Sequence, residues 1–155
     1  MTAQDVEIAV AKHFNYRTNV IVPNVYWGLG LRYEADLVVL RPSNWAIEVE
    51  IKVSASDIKA DLRKAHQHDS RLFKELYFAV PEELKNNPFI PDHAGILSAS
   101  KISMGRCRVE IVRAAQRRKD AIKWEDSLRC KLAELGAMRI WTFKQHLSEK
   151  TGGKR

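Results

Sequence analysis

Long apolar runs are missing from this chain of 155 residues. No stretch approaches the roughly 20 apolar residues that cross a bilayer, so no membrane span is expected. The opening MTAQDVE is polar and lacks the basic start and apolar run of a secretion signal. The expectation is a soluble, cytoplasmic protein. Cysteine is equally sparse, with Cys107 and Cys130 alone. Such a pair has neither zinc-ligand spacing nor the density of a disulfide scaffold, and both are expected as reduced thiols. Internal repeats are absent too. Acid is scarce in one place only. Residues 101–155 hold 15 Lys and Arg against 6 Asp and Glu, whereas residues 1–100 hold 11 against 13. A chain of +7 whose last third carries +9 is suited to a polyanion partner.

What is present is a globular composition, 45% hydrophobic and 29% charged, in a length that fits one domain. We read that domain as 1–147, followed by a flexible basic tail, 148–155. The middle of the chain carries the strongest pattern. From Trp45 onward Ile47, Val49, Ile51 and Val53 alternate with Glu48, Glu50 and Lys52, the period of a strand with one face in a core. Upstream, Ala35, Leu37 and Val39 alternate with Glu34 and Asp36, and Arg41-Pro42-Ser43-Asn44 between the runs is a turn composition. An antiparallel hairpin would set Asp36 near Glu50 and Lys52. Two acidic oxygen donors on neighbouring strands make a site for a hard cation, Mg²⁺ or Mn²⁺. A lysine beside them can orient or help deprotonate an attacking water and steady phosphate charge. Glu34 and Glu48 share the acidic face and read as neighbours rather than ligands. Asp36 carries the most weight, because aspartate is depleted inside strands.

An Asp followed, after thirteen intervening residues, by Glu-x-Lys resembles the core of the PD-(D/E)XK nuclease superfamily. With EIKVSASDIKAD, ELYFAVP and AGILSAS, the region from Glu34 to Ser100 is similar to a small bacterial branch linked to DNA repair, the MmcB-like proteins. Ala35 stands where the motif's proline would be. The resemblance implies a restriction-endonuclease-like core. It also implies Asp36 and Glu50 as metal ligands, the Ile51 carbonyl as a third, and Lys52 as the catalytic lysine. Similar nucleases carry an acidic residue in their first helix, which makes Glu7 a further candidate ligand.

The remaining segments fill in an α/β architecture, a mixed β-sheet flanked by helices. Asp5 to Phe14 has helical spacing, with Thr2 or Asp5 as its cap. Asn19 to Val22 is a short apolar run ended by Pro23-Asn24, and Tyr26 and Trp27 after it are expected in the core or at its rim. Ser54 and Asp57 have capping-box spacing, opening a helix whose buried stripe is Ile58, Leu62, Ala65 and Leu72. His66 and His68 stand two apart on that helix and do not face one another, which removes a simple zinc pair. Gln67 or Arg71 could face a substrate there. LYFAV (76–80) reads as a strand buried on both faces, His93 to Leu97 as the start of another, and Cys107 to Val112 as an edge strand. Trp124 to Leu147 is helical, with Leu128, Leu132, Leu135, Ile140 and Phe143 in the pattern and Gly136 as an interruption.

The functional expectation is a Mg²⁺-dependent (or Mn²⁺-dependent) nuclease hydrolysing DNA phosphodiester bonds in repair or recombination. The rival reading is a nucleic-acid-binding repair-complex module of the same fold with little catalytic activity. DNA is the expected partner; RNA and homodimerisation stay open. The expected phosphate contacts are Arg117, Arg118, Lys119 and Lys123, with Arg63, Lys64 and Arg71 as the alternative surface.

Overall fold

The computed structural model describes residues 1–61, 63, 68–102 and 105–152. Six strands and three helices follow one another as α1 (Ala3–His13), β1 (Val20–Val25), β2 (Ala35–Leu40), β3 (Ala46–Ile51), α2 (Ala55–Asp61), β4 (Phe73–Pro81), β5 (Gly95–Lys101), β6 (Cys107–Arg113) and α3 (Asp126–Gly152). A short 3₁₀ helix, Glu82–Leu84, lies between β4 and β5. The strands form one sheet in chain order, β1-β2-β3-β4-β5-β6. β3, β4 and β5 run parallel to each other, and the other pairs are antiparallel. The sheet is mixed and the fold is α/β. No helix among the described residues is long and apolar enough to cross a membrane.

Each helix covers a defined part of the sheet. Thr2 caps α1: its hydroxyl accepts from the Asp5 amide at 3.1 Å, and the Asp5 carboxylate accepts from the Thr2 amide at 2.8 Å. That helix buries Val6, Ala9 and Val10 against Leu37, Val39, Ile47, Val49 and Tyr77 on one face of the sheet. The opposite face holds two separate apolar patches. At one end Leu132 and Leu135 of α3, with Trp124, pack on Val22, Val38, Leu40, Ala46 and Phe73. Toward the other end Ile58 of α2 packs with Leu76, Phe78, Val80, Ile90 and Ile96. The register sets Glu48 between Val38 and Leu76, and Glu50 beside Phe78. Glu48 and Glu50 therefore point into the seam between the patches.

Several boundaries differ from the sequence reading. β1 runs through Pro23 and Asn24 to Val25. It is an edge strand, where a missing ladder N–H is tolerated. α2 ends at Asp61, and Leu72 lies in the turn before β4 rather than on a helical stripe. The expected stripe residues Leu62 and Ala65 lie outside the described residues, as do His66 and Gln67. Trp124 precedes α3 and is pinned by its ring N–H to the Leu72 carbonyl at 2.7 Å. α3 is a single helix through Gly136, because that glycine meets β1: a Cβ there would lie 3.1 Å from Val22 Cγ2. Ile140 and Phe143, expected in the buried pattern, are 56% exposed. Residues 148–152, assigned to a flexible tail, are helical.

Candidate active site

β3 is paired along both edges with β2 and β4, apolar clusters cover both of its faces, and Glu48 and Glu50 are fully buried. An unpaired buried carboxylate would be very unfavourable. The surroundings supply the compensation. Lys52, one residue past the end of β3, directs its Nζ to Glu50 Oε2 at 2.6 Å, Asp36 Oδ2 at 3.3 Å and Asp61 Oδ1 at 3.4 Å. The Ile51 amide donates to Asp36 Oδ2 at 2.8 Å. The hairpin thus brings Asp36, Glu50 and Lys52 to one point, where Asp36 remains a third exposed and Lys52 is buried.

Behind that point runs a chain of buried polar contacts. His68 Nε2 lies 2.7 Å from Asp61 Oδ2, and its Nδ1 lies 2.9 Å from Glu48 Oε1. Tyr33 donates its hydroxyl to Glu48 Oε2 at 2.9 Å. Burial works against a charged His68, yet the hydrogen bonds to Asp61 and Glu48 and the charges of Glu48 and Glu50 prevail, raising it to about 10. Lys52 is raised as well: burial opposes its charge, and Glu50 and Asp36 outweigh the burial. Glu50 is raised to about 6 by burial and by the Asp36 charge, against the pull of Lys52 and His68. Tyr33 is raised by burial and by Glu48 beside it. Glu7, half-buried on α1, is raised by burial and then by Asp36.

Asp36, Glu48, Glu50 and Asp61 are four acids against the two cations Lys52 and His68. That surplus of negative charge, deep in the fold, is what a divalent cation would neutralise. Glu48, Glu50 and His68 each carry a potential ligand atom, the three within 4.8 Å of one another; both His68 nitrogens are engaged with Glu48 and Asp61, so the ring can ligate only after losing its proton. The donor set of carboxylate oxygens with one imidazole fits a divalent ion, and it does not by itself choose which.

The structure also sorts the basic candidates. Arg118 donates to the backbone carbonyls of Asp69 at 2.5 Å and His68 at 3.1 Å, tying the residue 117–119 segment to the loop that carries His68. Arg117 pairs with the buried Glu75 at 3.3 Å. Arg71 donates to the Asp120 carbonyl at 3.0 Å. Lys119, Lys123 and Arg63 are exposed, and Lys64 lies outside the described residues. Tyr26 and Trp27, expected in the core or at its rim, are 58% and 50% exposed. Glu34 is exposed just before β2. Glu48 joins the cluster as a buried partner of Tyr33 and His68, and the sequence alone does not point to Asp61, His68 or Tyr33. One signal for Glu48 was available: it sits in a strand whose neighbours in sequence, LVVL and LYFAV, are almost wholly apolar. Such a strand is central and its acids are buried.

A mixed α/β sheet gathers carboxylates around a buried lysine and histidine, a cluster that could bind a metal ion. The family is more specific. A family model described as DNA repair protein MmcB-like matches residues 2–146, and the chain belongs to that family. This ties it to DNA repair. The solved structure of the SPO1766 protein of unknown function from Silicibacter pomeroyi is similar over 98% of this chain and 94% of its own, with a TM-score of 0.67 and 24% identity. At that identity the likeness carries the fold alone. No curated protein matches.

Proposed function

We propose that the chain is a metal-dependent nuclease with a restriction-endonuclease-like core, hydrolysing DNA phosphodiester bonds. The observation that carries this reading is the convergence of Asp36, Glu50 and Asp61 on a single lysine ammonium, at 3.3, 2.6 and 3.4 Å. Asp36 and Glu50 would hold Mg²⁺ or Mn²⁺, with the Ile51 carbonyl and Glu7 as further oxygens. Bound there, such an ion supplies Lewis acidity toward a phosphate oxygen and a water of lowered pKa. Lys52, held in its charged form by its acidic neighbours, acts as a donor: it orients the water and offsets phosphate charge rather than accepting a proton. His68 holds Glu48 and Asp61 in place behind it and so fixes the cluster that aims Lys52.

The test pairs two variants. Glu50→Gln should weaken Mn²⁺ binding, read by calorimetry, and metal-dependent cleavage together. Lys52→Ala should retain most Mn²⁺ affinity while cleavage falls by roughly 10²–10⁴-fold. Cleavage unchanged in both variants would place the activity elsewhere. DNA binding by the parent without metal-dependent cutting would favour a repair-complex module of the same fold.

A further inference from the structure

The two edges of the sheet are finished differently. At the β1 edge Pro23 removes a ladder donor. α3 packs along that strand, with Gly136 against Val22 and the Arg139 guanidinium on the Asn24 carbonyl. β6 forms the other edge and has neither device: CRVEIVR contains no proline, and no described strand pairs with its outer side. Near it Ile8, Ile102, Ile111 and Val112 are each about half exposed. Cys107, Val109 and Ile111 lie on the α1 face of the sheet, and Arg108 and Glu110 lie on the other. Pairing with β5 is regular from Cys107 to Ile111 and shifts register at Val112.

We propose that β6 is a dimer interface, pairing antiparallel with β6 of a second copy about a two-fold axis at Val109. Two six-stranded sheets then become one. This inference stands apart from the nuclease reading. Self-complementarity selects the occupant. With Val109 opposite its own copy, the regular stretch Cys107–Ile111 meets the same stretch running the other way. Arg108 then stands opposite the partner's Glu110, and Glu110 opposite the partner's Arg108. Within one chain these two already pair at 3.2 Å while both stay about two-thirds exposed. The dimer therefore sets four charges in a square whose sides all join opposite signs. Moving the axis by one residue would put Glu110 against Glu110 or Arg108 against Arg108, so the charges also fix the register. On the α1 face the partner's Ile111 comes opposite Cys107. There Ile8, Ala9 and Cys107, with Asp5, Lys12 and Arg106, line a groove of about 210 Å³. Ile8 and Ile111, both exposed in the single chain, are thereby brought together, and the outward N–H and C=O groups of the strand gain partners. An unrelated extended peptide would gain those backbone bonds without the matched charges.

Sedimentation velocity over a concentration series reads the association directly. The parent is expected to dimerise. Glu110→Arg, at an exposed position, should weaken association by roughly tenfold to several hundredfold, because two attractive pairs become repulsive. Arg108→Glu combined with Glu110→Arg should restore it. A parent that stays monomeric at its highest soluble concentration would overturn the proposal. So would a dimer indifferent to Glu110→Arg, or a double exchange that stays dissociated while circular dichroism shows it folded. Phe143→Ser, on the exposed stretch of α3, is expected to leave the dimer intact. A dimer that this variant loses and Glu110→Arg keeps would place the contact on α3 and sink the β6 interface.

Discussion

Glu50 ionises against resistance. Its carboxyl, raised to about 6, holds its proton more tightly in the fold than in the unfolded chain. The stability tied to that proton is full below the unfolded value near 4.5 and is lost as pH rises through 6. At pH 8 without metal the ionised group costs about 2 kcal/mol. Glu50→Gln is uncharged throughout, so we expect it to melt a few degrees higher than the parent in EDTA at pH 8. Mn²⁺ should then raise the melting temperature of the parent and leave the variant where it was. A variant no more stable than the parent would mean that burial of Glu50 is already fully offset by Lys52. His68 titrates in a second window. Its folded pKa, about 10, lies above the ordinary 6.5. Its contribution is therefore whole below 6.5 and disappears as pH rises through 10. His68→Phe leaves Glu48 and Asp61 without the cation they share, which should lower stability by about 3–5 kcal/mol in urea unfolding at neutral pH. A loss well under 1 kcal/mol would show that the ring does not hold the two acids.

Elements were legible where a local rule acts alone. The β2–β3 hairpin follows from period-two alternation around a Pro-containing turn, which closes through the Asn44 amide on the Arg41 carbonyl at 2.9 Å. The apolar run of β4 announced a strand covered on both sides, although the strand begins three residues earlier than the run, at Phe73. Tertiary contacts decided the rest. α2 is described from Ala55 to Asp61, and the Asp61 side chain is taken up by His68 and Lys52, a pairing that no helical periodicity encodes. Gly136 reads as a breaker in sequence but serves as a point of close approach. Gly136→Leu should therefore push α3 off the β1 edge, reducing stability by roughly 1–3 kcal/mol, an effect read by chemical denaturation. A neutral result would mean that the helix shifts along the sheet without penalty.

At the scale of the whole molecule the uneven charge divides into two uses. Arg118 is committed to the carbonyls of Asp69 and His68, so part of the basic excess stabilises the fold, while Arg117 pairs with Glu75 and stays exposed. Replacing the exposed Lys119 and Lys123 with alanine should flatten the log–log salt dependence of DNA binding by about two units if both meet phosphates. Arg118→Ala should instead lower the melting temperature. A slope left unchanged by the double replacement would show that these two lysines face solvent and would turn attention to Arg63, Lys64 and Arg71. The charge asymmetry itself was plain in the sequence. Its partition was not, because whether an arginine meets solvent or a backbone carbonyl is set by the path of a loop. The strand order has a consequence of its own for how the molecule comes into being. Each strand lies beside the one made just before it; the antiparallel β1–β2 and β2–β3 pairs close through the stretches between them, whereas the parallel β3–β4 and β4–β5 pairs need crossovers and form more slowly. Every acidic and cationic group of the cluster falls between Glu7 and His68. As the chain leaves the ribosome, the site can therefore be drawn together once β4 has covered it. The basic last third then arrives as a late addition, laid over a negative centre that is already in place.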